Sequence, residues 1–283
     1  MKRNLASLCL LTLLVGLSGC ALSTSRNHRP LMAGVRVASS VETETAEEEP
    51  SAPKTEFEAL LPRILKAGVS SQTLRREGYV VSYNKDNRIP NWVMWHLTGN
   101  HTSGPFKRGG VKFQTDPEAD GPQVTTYDYA RSGYDRGHMC PSGDNKWSQR
   151  AQEQSFLLTN VCPQNHQLNA GDWNEMELQC RRWARQYGDT YVVAGPILLN
   201  RRHKTIGQAK VVVPEAFFKV VLCLRGKPKA IGVIYRNKAG NRPKGDYMNS
   251  VGQVERVTGI DFFPGLPDEM EQAVESRQDL SEW

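Results

Sequence analysis

No two cysteines of this 283-residue chain stand in a C-x-x-C pair, which removes the usual frame of a structural zinc site. No internal repeat and no second domain boundary interrupt it, so a single domain is expected. Long hydrophobic runs are missing as well. The one apolar stretch near the start, Leu8 to Leu17, is too short to cross a bilayer.

That stretch follows Lys2 and Arg3 and has the layout of a secretory signal. It closes on Leu17-Ser18-Gly19-Cys20, and small residues before a cysteine resemble a bacterial lipoprotein processing site. The expected layout is a signal peptide over 1–19 and a lipidated Cys20 whose acyl chains anchor the protein to a membrane. Ala21 lacks the acidic mark of inner-membrane retention, so the expected location is the outer membrane, facing the periplasm. An ordinary cleaved signal is the alternative. Residues 20–56, with VETETAEEEPSAPK, offer little to bury and are expected to be a disordered tether.

Residues 57–283 remain, enough for one well-filled core. The first 56 residues hold six of the 36 Lys and Arg and six of the 30 Asp and Glu, leaving the domain 30 basic against 24 acidic, a net +6. That excess suits a polyanionic ligand without requiring one. Four cysteines fall in the domain, Cys140, Cys162, Cys180 and Cys223. An oxidising envelope would favour one or two disulfides among them.

Six runs read as strands: 78–84, 91–98, 155–161, 190–199, 216–224 and 229–236. One long helix is expected from about Ala170 to Tyr187, with Trp173, Met176, Cys180, Trp183 and Tyr187 on its apolar face. Shorter helices are expected over Ser250–Val257, ended by Gly259, and over Asp268–Arg277. Several strands with few helices, not strictly alternating, indicate an α+β domain.

The segment Asp135-Arg136-Gly137-His138 carries the first chemical signal. Phosphodiester hydrolysis needs a base to take a proton from water, and imidazole titrates near neutrality. It also needs charge stabilisation on phosphate oxygens, which an arginine fork or a divalent cation provides. Downstream, Asn160 is expected to end a strand and Asn169 to cap the long helix. On a straight helix, Glu177 would lie about 12 Å beyond Asn169 and roughly 80° around, too far for shared direct ligation. A site with one amide ligand and several waters suits Mg²⁺.

The series DRGHMCP (135–141), TNVCPQ (159–164) and LNAGDWNEME (168–177), with TGIDFFPGLP (258–267), resembles the DNA/RNA non-specific endonuclease family. The resemblance runs from about Gly78 to about Phe263, and the core of the domain is placed at about 78–266. It implies a ββα-metal (His-Me finger) fold with a mixed, mainly antiparallel sheet and flanking helices. It also implies that His138 is the general base, Asn169 the direct Mg²⁺ ligand (Mn²⁺ as a substitute), and Arg136 a phosphate contact. Asn160 would support the site and Glu177 would orient water around the ion. The implied reaction cuts DNA and RNA to 5′-phosphate ends, and by analogy the protein would form a homodimer. Cys140 and Cys162 each precede a motif proline, so a bridge between them would staple the two segments; it is one of three complete pairings. Some members use a further upstream arginine, for which Arg131 is the nearest candidate. Two alternatives stand beside this reading: a non-catalytic polyanion-binding module, and a phosphodiesterase of the same fold with another substrate.

Overall fold

The computed structural model describes residues 55–283. The expected signal peptide, Cys20 and all but the last two residues of the expected tether lie outside the described residues.

The strands that matter here are β1 (Gln72–Arg75), β2 (Val80–Asn84), β3 (Ile89–Leu97), β4 (Asp135–His138), β5 (Val161–Gln164), β6 (Thr190–Ile197), β7 (Ala216–Cys223), β8 (Lys229–Arg236) and β9 (Met248–Asn249). Seven of them form one sheet in the order β9-β8-β7-β6-β3-β2-β1. Every pairing in it is antiparallel, so the expected mixed character gives way to a uniform ladder. The reason lies in the connections, because β2 to β3 and β7 to β8 are close returns that need no crossover. The α+β class stands.

Both faces of the sheet are buried, which explains why its strands read as near-continuous apolar runs. On one face Trp95, Val192, Phe217 and Val221 pack under Trp173 and under Met176, Cys180 and Trp183 of the long helix α1 (Asn174–Tyr187) that follows it. On the other, Val193, Phe218 and Val220 meet α2 (Val251–Thr258), α3 (Asp268–Glu275) and Phe262-Phe263. Ser250 and Gln253 form a capping box at the start of α2, and Gly259 ends it at φ +70°, a left-handed conformation costly for a residue with a Cβ.

Three local expectations need correction. Residues 155–161 are not a strand: Leu158–Asn160 is a 3₁₀ turn, and the strand is β5, which begins after Asn160. The run is apolar because Phe156 and Leu158 fill the core from a turn. The long helix does not begin smoothly at Ala170. Asn169–Trp173 is a π-helical turn with Gly171 non-helical at φ −103°, ψ −112°. Asn169 is itself helical, and the cap is Asn165, whose side chain accepts from the N–H groups of Gln167 and Leu168. Finally, Cys140, Cys162, Cys180 and Cys223 are all free and buried, so neither Cys140–Cys162 nor any other pairing forms among them.

Candidate active site

β4 and β5 make a separate two-stranded ladder, with His138 opposite Val161 and Gly137 opposite Cys162. The chain then enters the π-turn and α1, giving a strand–strand–helix unit packed on the sheet. Gly137 is required sterically. A Cβ there would collide with the side chain of Gln164, whose own Cβ would be 2.6 Å away. Gly137 thus serves the close approach of the two strands.

His138 is half-buried, wedged between Phe113 and Phe156 with ring centroids 5.0 and 4.9 Å away. Two cations cover these rings: Arg136 lies 4.9 Å from the Phe113 centroid and Arg108 lies 5.6 Å from that of Phe156. Nε2 of His138 is covered and has no hydrogen-bond partner. Burial, and secondarily the charge of Arg108, pulls the imidazole down from 6.5 to about 3. The ring is thus held in its neutral form at physiological pH. Its backbone is held by Trp173, whose indole N–H donates to the His138 carbonyl at 3.1 Å.

Asn160 is fully buried and does not line the cleft. Its Oδ1 accepts from the Cys140 N–H at 2.9 Å, and its Nδ2 donates to the carbonyls of Cys140 and Ser155, both at 2.8 Å. It ties down the chain at Cys140, two residues after His138.

Asn169 and Glu177 line the same cleft as His138 and Arg136. Nδ2 of Asn169 donates to Oδ2 of Asp135 at 2.9 Å, an oxygen that Nδ1 of His166 also reaches at 2.9 Å. This orients the amide and leaves Oδ1 without a protein donor among the described residues. Glu177 accepts from Arg181 at 3.3 Å, and Arg181 is tied to Asp144 at 2.6 Å. Burial raises the Glu177 carboxyl, while Lys219 and then Arg181 act to lower it.

No group of three or more His, Cys, Asp or Glu able to hold an ion occurs among the described residues. The donors that do face the cleft are hard oxygens, an amide and a carboxylate. That set fits a strongly hydrated divalent cation that keeps most of its water. Asn169 would hold it directly and Glu177 would act on its hydration shell.

The cleft measures about 1170 Å³ and is rimmed by Lys107, Arg108, Arg136 and Lys146. Tyr127, 84% exposed, stands on its lining with a free aromatic face. Arg131 does not line it and is exposed at φ +56°. Arg108, not Arg131, is the upstream arginine on the lining. It lies in KRGG, a glycine-bearing loop with no periodicity, and no local signal in the sequence singles it out.

Comparison with known proteins bears on this geometry. The family model for DNA/RNA non-specific endonucleases matches residues 59–269. Mitochondrial nuclease EXOG of Danio rerio is 34% identical over 206 residues, covering 66% of this chain and 60% of that protein. Mitochondrial endonuclease G of Homo sapiens is 30% identical over 210 residues, covering 69% and 71%. A nuclease of Nostoc sp. is 30% identical over 215 residues, covering 71% and 76%. The chain therefore spans about 60% of the EXOG relative's length. The solved EndoG/EndoGI complex superposes with a TM-score of 0.68 at 28% identity, covering 78% of this chain and 96% of that one. The strand–strand–helix unit bearing His138 and Asn169 is the ββα-metal arrangement, in a family of metal-dependent nucleases. By sequence over residues 59–269 and by fold, the chain belongs to the DNA/RNA non-specific endonuclease family.

Proposed function

We propose that the domain is a Mg²⁺-dependent, sugar-non-specific endonuclease that hydrolyses DNA and RNA to 5′-phosphate ends. The observation that carries this reading is the placement, on one cleft, of His138 and of an Asn169 amide oxygen that accepts from no donor among the described residues. His138 accepts the proton of the attacking water on a ring nitrogen. Arg136 and Arg108 bind the phosphate oxygens. Glu177 orients water near Asn169. A bound divalent ion supplies charge stabilisation for the phosphoryl group and the leaving oxygen.

Indifference to sequence follows from the lining, which offers cations for backbone and the Tyr127 ring for stacking, a contact every base can make. Incubating the purified protein with duplex DNA and with RNA tests the proposal. Both are expected to be degraded with Mg²⁺ and spared with EDTA, with 5′-phosphates on the new ends. Binding without cleavage would favour a polyanion-binding module, and inertness toward both polymers would favour another phosphodiester.

The Cys20 reading completes the proposal: an exported lipoprotein with its nuclease domain on a tether in the periplasm, held at the outer membrane. Export would keep such an enzyme from the chromosome. The Cys20→Ser protein is expected in the soluble fraction after cell lysis, where the parent sediments with membranes. Equal sedimentation of the two would remove the anchor. The homodimer rests on family analogy alone.

A further inference from the structure

Lys219, in the middle of β7, is fully buried, and its Nζ has no hydrogen-bond partner. Lysine is seldom found so, because an ammonium ion gives up strong hydration on burial and is normally repaid by a carboxylate or carbonyl. Here two indole faces stand against it. Nζ lies 4.2 Å from the ring centroid of Trp173 and 5.5 Å from that of Trp95. Such contacts offset part of the desolvation.

Both indoles also turn their N–H toward the site. Trp173 donates to the His138 carbonyl at 3.1 Å, and Trp95 donates to Oδ2 of Asp144 at 3.0 Å. The other oxygen of Asp144 accepts from Arg181, which reaches on to Glu177. Lys219 thus stands where the limb carrying the base meets the limb carrying the acid.

Charge gives the position its meaning. The side chains of Asp144, Arg181 and Glu177 are 1%, 13% and 13% exposed. With both carboxylates ionised, Arg181 alone leaves one negative charge unbalanced in a covered region. Lys219 is the fourth member that brings the group to neutrality.

We propose that Lys219 is a positioning residue, a resident buried cation that balances the Asp144–Arg181–Glu177 cluster and, through Trp173 and Trp95, holds Glu177 and His138 in one frame. It does not line the cleft and has no path to the substrate. Its field nevertheless reaches the site, since it is the strongest of the charges that lower the Glu177 carboxyl. A lysine serving only as filler would have no particular relation to Glu177, and that difference is measurable.

The inference rests on the role given to Glu177 above, and the test separates the two. Lys219→Met, Glu177→Gln and the double variant are compared with the parent for kcat, KM and melting temperature. Lys219→Met is expected to lower kcat roughly tenfold, about 1.4 kcal/mol, with KM little changed. In the Glu177→Gln background the same change should move kcat by less than about twofold, because the pair acts as a unit. The double variant should melt higher than Lys219→Met alone, since neutralising one acid restores the balance. Equal kinetic effects in the two backgrounds overturn the proposal, as does a double variant no more stable than Lys219→Met. If Lys219→Met fails to fold, recovery of folding in the double variant supports the proposal and its absence overturns it. Should the parent show no nuclease activity, the melting comparison alone decides.

Discussion

A His138→Ala protein is expected to cleave nucleic acid roughly a thousandfold more slowly than the parent, within the range for loss of a general base. The ring is wedged between Phe113 and Phe156 and its backbone is held by Trp173, so its place in the cleft is fixed. Nicking of supercoiled plasmid measures kcat, and fluorescence anisotropy with a phosphorothioate duplex measures binding, expected to stay within about twofold of the parent. Activity within tenfold of the parent would remove His138 as the base.

The pKa of this ring gives a second readout with a definite sign. The folded value, about 3, lies below the ordinary imidazole value of 6.5, so the folded state prefers the neutral ring. Stability is complete above about pH 6.5 and is lost as pH falls toward 3, because the unfolded chain takes up the proton first. The variant lacks that loss, so its melting temperature should fall less than the parent's between pH 7 and pH 4.

Asn169→Ala is the second large effect. Removing a direct ligand is expected to lower activity at fixed Mg²⁺ by roughly two orders of magnitude, some 3 kcal/mol. The Mg²⁺ concentration for half-maximal rate should rise in parallel, and calorimetry should show weaker Mg²⁺ binding. Asn169→Asp would seem to improve the ligand, yet it is expected to do no better. The amide N–H₂ donates to Asp135 at 2.9 Å, and an aspartate would set two carboxylates against each other there. An aspartate variant that binds Mg²⁺ as tightly as the parent would show that the Asp135 contact does not select the amide.

The placement of these two residues was legible because each sits in a motif whose chemistry is local. His138 lies beside Arg136 in a four-residue strand, and Asn169 opens the segment that leads into α1. The shape of that segment was not legible. Trp173, Met176, Cys180 and Trp183 keep three- and four-residue spacing through the π-turn, so apolar periodicity alone cannot reveal the break at Gly171. The break falls between Asn169 and Glu177, which both line the cleft. The role of Asn160 was half legible: its place in the motif was clear, but its two bonds to Cys140 and its bond to Ser155 depend on tertiary contact. Trp173 was rightly read as core, but its indole N–H bond to His138 lay beyond any pattern in the sequence. Arg108 was missed for the same reason, because it enters the site from a loop about thirty residues upstream of His138.

The four unoxidised thiols bear on where such a domain can operate. Cys140 and Cys162 flank the site, both are fully buried, and burial holds their thiols well above the usual range, away from the reactive thiolate. Noncovalent packing alone holds the two segments together, so the architecture is indifferent to the redox poise of its surroundings. A domain built this way is portable. Relatives named as mitochondrial proteins, and the Nostoc nuclease, share its sequence over some two hundred residues. Its internal chemistry contains no disulfide among the described cysteines that a change of compartment would have to preserve.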